Sequence, residues 1–107
     1  MAREEITVVS LVPVEIDGTT FTAVTVQLPK TNLITVSTDK GYIMCGALDI
    51  PSLNTRLAER RIIAGRAFGV RSVDDLLEAP LVDVTDAARE LGIVPGMKGR
   101  DALKLMS

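Results

Sequence analysis

Residues 41–49, GYIMCGALD, form an apolar run that decides the fold. A strand that is apolar on both faces is expected to lie centrally in a sheet. Asp49 is a predicted N-cap for a helix over residues 50–60, with Pro51 in the first turn, where its missing N–H does no harm. Residues 62–70 then have the character of a returning strand. Such a strand–helix–strand unit favours a right-handed crossover and a parallel pairing.

The chain before this unit has the pattern of β-strands. Residues 6–16 are rich in β-branched side chains, and Pro13 within them indicates an edge strand or a bend. Asp17-Gly18 is a hairpin signal, because both residues tolerate positive φ. Residues 21–28 alternate in side-chain character and residues 33–37 form a further predicted strand. The first half of the chain therefore predicts a mainly antiparallel arrangement.

The chain after this unit has the pattern of helices. Ser72 begins a predicted second helix that ends before Pro80. Residues 83–91 predict a third helix closed by Gly92, and a final helix runs to about residue 106. The predicted fold class is α+β: a mixed, largely antiparallel sheet of about five strands with one β-α-β crossover and three to four helices packed on it.

Length and composition limit the classes of function. The 107 residues predict a single domain, 1–107, and an aromatic share of 3% means that Val, Leu, Ile and Ala must build its core. A net charge of −2 without clustered Lys and Arg argues against nucleic acid as a partner. The chain has no histidine, which removes the commonest general base and metal ligand. Since the carboxylates also lack metal-ligand spacing, neither a metal nor a cofactor is expected.

The sequence also predicts a location. The start of the chain has no apolar segment typical of a signal peptide, and no apolar stretch approaches the roughly 18 residues of a membrane span. One cysteine cannot form an internal disulfide, so a reducing cytoplasm fits best. We therefore expect a cytoplasmic protein without membrane association.

Cys45 is the candidate catalytic residue, and two interpretations of it are open. Strand alternation places Ile43, Cys45 and Ala47 on one face, and cysteine often acts as a small buried hydrophobic residue. A nucleophilic cysteine needs a cation, a base or a helix N-terminus to lower its pKa. With histidine absent, Lys40, Tyr42 or Arg66 would have to set the protonation of this thiol. The structural interpretation is favoured over the functional thiol.

The stretch AGRAFGVRS, residues 64–72, predicts a binding site. In an extended strand, Gly65, Ala67 and Gly69 share a face with almost no side-chain volume, which allows close backbone packing or leaves space for a ligand. Arg71 and Ser72 lie at a predicted helix N-terminus, where N–H groups favour an anion. The alternative is that Ser72 is only a cap and Arg71 is solvated. The candidate ligand-binding residues are Gly65, Arg66, Gly69, Arg71 and Ser72.

Several phrases together resemble a known family. They are LPKTNL at 28–33, DKGYIMCGALD at 39–49, IIAGRAFGVRS at 62–72 and PGMKGRDAL at 95–103. They resemble the YunC-like family of small bacterial and archaeal proteins of unknown function. The resemblance implies a compact α+β domain in a prokaryotic cytoplasm, and it supplies neither an activity nor a catalytic residue.

Three functional hypotheses follow. The first is a non-enzymatic domain that binds a small, anionic ligand. The second is a thiol-dependent enzyme or redox sensor that uses Cys45. The third is a structural or oligomeric partner protein. A homo-oligomer, with a dimer favoured, is expected because a long apolar N-terminal strand leaves a sheet edge that needs cover.

Overall fold

The computed structural model describes residues 8–46 and 48–107, apart from the side chain of Val8. These residues form an α+β fold with one mixed six-stranded sheet. The strands are β1 (Val8–Ile16), β2 (Thr19–Leu28), β3 (Thr31–Ser37), β4 (Gly41–Met44), β5 (Ile63–Arg66) and β6 (Asp83–Val84). The helices are α1 (Ile50–Asn54), α2 (Val73–Glu78), α3 (Asp86–Arg89) and α4 (Gly99–Met106), with a 3₁₀ turn at Ala58–Arg60. The predicted fold class is confirmed, with a sixth strand added to the sheet.

The strands lie side by side in the order of the chain. All neighbours are antiparallel except β4 and β5, which are parallel. The segment with α1 connects these two strands, so the predicted β-α-β unit is present. β1 lies at one edge of the sheet, which agrees with Pro13. Residues 6 and 7 of the predicted first strand lie outside the described residues.

The two faces of the sheet are covered to different extents. The main core lies between one face and helices α2 and α4, which contact β3 and β4. A smaller cluster on the opposite face joins α1 to β5 through Ile50, Leu53 and Ala64. β4 lies between β3 and β5, so its predicted central position is confirmed. Among the described residues, none of the helices is long and apolar enough to cross a membrane.

The predicted helix over residues 50–60 is divided in two. Its N-cap is as predicted, because the Asp49 carboxylate accepts a hydrogen bond from the backbone N–H of Ser52 at 3.3 Å. The helix ends at Asn54, and the Thr55 hydroxyl donates to the Pro51 carbonyl at 2.8 Å. Such local side-chain bonds compete with helix continuation. The prediction of one continuous helix was wrong.

The predicted third helix is also shorter than expected. Asp83 and Val84 form β6 beside β5, and the helix begins only at Asp86. Thr85 separates the two elements: its hydroxyl accepts from the backbone N–H of Ala64 at 3.1 Å and of Ala88 at 3.2 Å. Tertiary pairing with β5 therefore overrides the helical pattern at the start of this segment.

Candidate functional site

The parallel strands β4 and β5 end side by side. The backbone N–H of Ala67 donates to the Met44 carbonyl at 3.0 Å, which holds the two outgoing segments together. The Phe68 ring lies on Gly46, because a Cβ built at Gly46 would come within 2.6 Å of the Phe68 Cδ1. The GYIMCG and AGRAFG motifs are thus in direct contact. In open sheets, ligands commonly bind outside the carboxyl ends of parallel strands.

Cys45 lies directly after β4 and is buried, with 7% of its surface exposed. Its backbone N–H donates to the Ile34 carbonyl at 3.0 Å, and its Sγ lies 3.8 Å from the Asn32 carbonyl oxygen, to which the thiol donates. These contacts attach the residue to β3. Ala47, which was predicted to share its face, lies outside the described residues.

An open groove of about 510 Å³ lies at this end of the sheet, between the β2–β3 turn and the segment that leads into α2. It is lined by Leu28, Lys30, Thr31, Asn32, Val70 and Arg71. Lys30 occupies the turn with φ of +67°. Within the described part of the chain, neither the Lys30 ammonium nor the Arg71 guanidinium has a carboxylate partner at ion-pair distance. The groove is therefore lined by two positively charged residues and by no Asp or Glu among the described residues.

Ser72 is a helix cap in this structure. Its hydroxyl accepts from the backbone N–H of Asp75 at 3.1 Å, while the Asp75 carboxylate accepts from the backbone N–H of Arg71 at 3.1 Å. The protein's own carboxylate thus occupies the predicted anion position at the start of α2. Of these neighbouring candidates, Arg71 is the one that reaches the groove.

Arg66 is held by the fold. Its Nε donates to the Asp83 Oδ1 at 2.8 Å and a second nitrogen pairs with the other Asp83 oxygen, while its third nitrogen donates to the Leu48 carbonyl at 2.7 Å. The guanidinium carbon also lies 5.0 Å from the centroid of the Phe68 ring. The hydrogen bond to Asp83 is the main reason why the pKa of Arg66 is raised above its ordinary value. These contacts join β5, β6 and the segment before α1.

The predicted face of small residues at 65, 67 and 69 was wrong. β5 ends at Arg66, so Gly69 lies beyond the strand in an exposed turn with φ of +75°. Gly65 is buried against Leu81, whose Cδ1 would lie 2.7 Å from an added Cβ, whereas a Cβ at Gly69 would meet no atom within 4 Å. Gly65 therefore serves close packing and Gly69 serves the turn, and the two glycines do not line one pocket.

A second cleft, of about 330 Å³, lies at the opposite end of the sheet. Its walls carry several hydroxyl groups, including those of Thr19, Thr22 and Thr38, together with the Asp39 carboxylate and the Lys40 ammonium. The two opposite charges balance, so this cleft has less attraction for an anion than the groove with Lys30 and Arg71. Among the described residues, no three potential His, Cys, Asp or Glu ligands come together as a metal site would require.

Comparison with known proteins decides the family. Residues 44–106 match the family described as Domain of unknown function (DUF1805). This chain belongs to the DUF1805 family. It is similar to Uncharacterized protein YunC of Bacillus subtilis (strain 168), with 61% identity over 98 residues, which covers 92% of this chain and 97% of the relative. The resemblance to the YunC-like family is therefore confirmed.

A solved structure supports the fold of this DUF1805 chain. A protein of unknown function from Thermoplasma acidophilum, TA1206, superposes with a TM-score of 0.84 at 29% identity, covering 94% of this chain and 95% of that chain. The DUF1805 match begins at Met44, so Lys30 and Asn32 precede the matched range. Neither was predicted as a site residue. The stretch LPKTNL, which contains both residues, was noted only for its family resemblance. Nothing in that stretch indicates that Arg71 would line the same groove.

Proposed function

We propose that this protein binds a small anionic molecule in the groove between the β2–β3 turn and residues 69–71. The observation that supports it is that Lys30 and Arg71, about forty positions apart in the chain, line one groove and lack carboxylate partners among the described residues. The groove, at about 510 Å³, lies within the roughly 300–1,000 Å³ that is typical of small-molecule sites.

The chemistry of the groove favours a carboxylate or phosphate group. The guanidinium of Arg71 presents a planar fork of donors that matches either group, and Lys30 adds a compact second charge. The Asn32 amide and the Thr31 hydroxyl supply neutral hydrogen-bonding groups in the same walls. Arg66 takes no part in this proposal, because Asp83 and Leu48 already use its nitrogens.

A titration with inorganic phosphate, followed by amide NMR shifts, tests the proposal. We expect saturable shifts at Lys30, Asn32 and Arg71, and their loss in Arg71→Gln. Arg89→Gln is the matched control, because Arg89 is an exposed arginine on α3 that does not line the groove. Shifts that cluster around Thr19 and Thr38, or that persist in Arg71→Gln, would contradict the proposal.

Thiol chemistry at Cys45 is the second candidate, and one contact favours it: the thiol donates to the carbonyl of Asn32, a residue of the groove wall. Burial at 7% exposure opposes it, since a reactive thiol needs access. We expect thiol titration to be slow in the native protein and fast in denaturant. Rapid stoichiometric labelling of the folded protein would favour the thiol-dependent function over simple ligand binding.

We also propose a cytoplasmic location. Cys45 is a free thiol, which a reducing compartment preserves, and a similar protein occurs in a bacterium. Fractionation of the native host, followed by detection with a specific antibody, tests this. Recovery in a secreted fraction would contradict it.

A further inference from the structure

Part of one face of the sheet is apolar and has no second layer over it among the residues that the structure describes. In β1, Leu11 is 70% exposed and Val9 is 63% exposed. The strand register aligns Leu11 with Val24, Val24 with Thr35, and Thr35 with Met44, so one row of side chains crosses four strands. Since the neighbouring Ala23 is buried on the helix-covered side, strand alternation puts this row on the opposite side. Among the described residues, helix α1 and the segments next to it cover that side near β5 and near Tyr42 of β4.

A parallel row extends the apolar surface. Val9 pairs with Val26, and Val26 pairs with Leu33, while Leu28 continues the same face of β2 with 36% exposure. Between β1 and β4 neither row contains a charged residue, and the first row continues from Met44 to Arg66 on β5, which is paired with Asp83. We refer to these seven apolar residues as the open face; they are Val9, Leu11, Val24, Val26, Leu28, Leu33 and Met44. A sheet normally buries such a face against a second layer.

We propose that a second copy of this chain covers the open face. The two sheets stack face to face about a two-fold axis that lies between them, parallel to both sheets and perpendicular to the strands. An uncharged apolar surface is complementary to itself, because no like charges meet when it is paired with its own copy. Two-fold dimers are also the commonest closed assemblies, and they pair one patch with the same patch.

The charges at the ends of the face fit this arrangement. Glu15 lies on the same side of β1 as Leu11 and pairs with Thr20 at one end of the sheet. Lys30 lies in the turn at the other end. Stacking two sheets with their strands reversed brings Glu15 of each copy to the end of the sheet at which Lys30 of the other lies, so the two charges attract each other when no anion occupies the groove. Stacking them with strands in the same direction would lose this complementarity.

The whole side of the sheet that carries the open face approaches the size of a dimer interface. β1, β2, β3 and β4 contain 9, 10, 7 and 4 residues, and rises of about 3.4 Å with strand spacings of about 4.8 Å give these four strands a footprint of roughly 500 Å². A standard interface of roughly 800 Å² per partner would therefore include the open face together with the neighbouring polar side chains on the same side of these strands.

Pairing through the β1 edge is less favourable than stacking. Pro13 lies in the middle of β1 and has no N–H to donate to an added strand. Continuous pairing of two β1 edges would therefore lose a hydrogen bond at its centre. Face-to-face stacking uses side chains alone and is not affected by this proline.

Sedimentation equilibrium from micromolar to near-millimolar concentrations tests the proposal. We expect a mass of twice the 11.5 kDa chain for the native sequence and a monomer for Leu11→Lys. Val12→Lys is the matched control, since Val12 is 47% exposed on the same strand but faces the other side. It should remain dimeric, and circular dichroism should show that both variants are folded. A monomeric native protein, or dissociation by Val12→Lys and not by Leu11→Lys, would overturn the proposal.

A charge exchange tests the orientation. Glu15→Lys and Lys30→Glu should each weaken the dimer several-fold, because each places like charges together at both ends. The double variant should recover the native dissociation constant. A dimer whose strength is unaffected by either single change would overturn the reversed stacking.

Discussion

The ring of Phe68 packs on the backbone of Gly46, so close that an added Cβ at Gly46 would lie 2.6 Å from the ring. This contact joins the segments that leave β4 and β5, and the Arg66 guanidinium lies 5.0 Å from the centroid of the same ring. Two stretches that are about twenty residues apart in sequence therefore form one corner of the molecule. The stability of that corner depends on the absence of a side chain at Gly46.

Gly46→Ala should lower the free energy of unfolding by about 1 kcal/mol, because the new methyl group displaces the Phe68 ring. The ring is 57% exposed and can move outward, which limits the cost. In a Phe68→Ala background the same change should cost much less. Urea unfolding of the four proteins in this double-mutant cycle measures the difference. Equal costs in both backgrounds would show that the ring contact is not the cause.

Gly99→Ala should be more damaging than Gly46→Ala. A Cβ at Gly99 would lie 2.3 Å from the Leu76 carbonyl oxygen and 2.7 Å from the Ile43 Cδ1. The carbonyl belongs to the backbone of α2 and cannot rotate away, so α2 and α4 must separate. We expect a loss of about 2–3 kcal/mol by urea unfolding, although alanine is favoured over glycine within helices. A stability equal to that of the native protein would contradict this close approach.

The two glycines of the AGRAFG stretch should respond to substitution for different reasons. Gly65→Val should lower the melting temperature through a collision with Leu81 in the core. Gly69→Val should lower it through backbone strain, because Gly69 has φ of +75° and open space around its Cα. Gly69→Asn is the control, since asparagine tolerates this conformation and should cost less than valine. If asparagine and valine cost the same at position 69, backbone strain is not the explanation.

Asp49 should contribute to a decline of stability in acid. Hydrogen bonds from Ser52, first that of its hydroxyl and then that of its backbone N–H, lower the pKa of Asp49 in the folded protein. Because the folded pKa lies below the unfolded one, this contribution is present above the unfolded value, near 4, and is lost as the pH falls through the folded value. Asp49→Asn keeps a capping side chain without a titrating group. Its urea midpoint should change less between pH ~6 and pH ~3 than that of the native protein, and an equal change would contradict this linkage.

Local patterns predicted the elements whose signals are contained in a few residues. The Asp17-Gly18 turn has positive φ at both positions, Asp49 and Ser72 are helix caps, and Pro13 lies in an edge strand. Each of these features depends on the conformational range or hydrogen-bonding capacity of the residue itself. Sequence was sufficient for them because no distant partner is required.

The failures occurred where a distant partner decides the structure. The stretch 83–84 has a helical pattern, yet it pairs with β5, where Val84 is buried and Asp83 forms an ion pair with Arg66. The alternation that placed Gly65 and Gly69 on one face assumed a strand longer than β5. Sequence periodicity indicates whether a segment prefers to be a helix or a strand. It does not indicate where the neighbouring strand in the sheet ends.

The sequence by itself determined the α+β class, the parallel β4–β5 pair and the family, because turn chemistry, apolar runs and shared motifs are local properties of the chain. Only the tertiary structure placed Lys30 and Arg71 in one groove, paired Arg66 with Asp83 and left the open face without a second layer among the described residues. These features depend on strand register and on which face each helix covers. Both are set by contacts between residues far apart in the chain, where burial of apolar surface outweighs local preference.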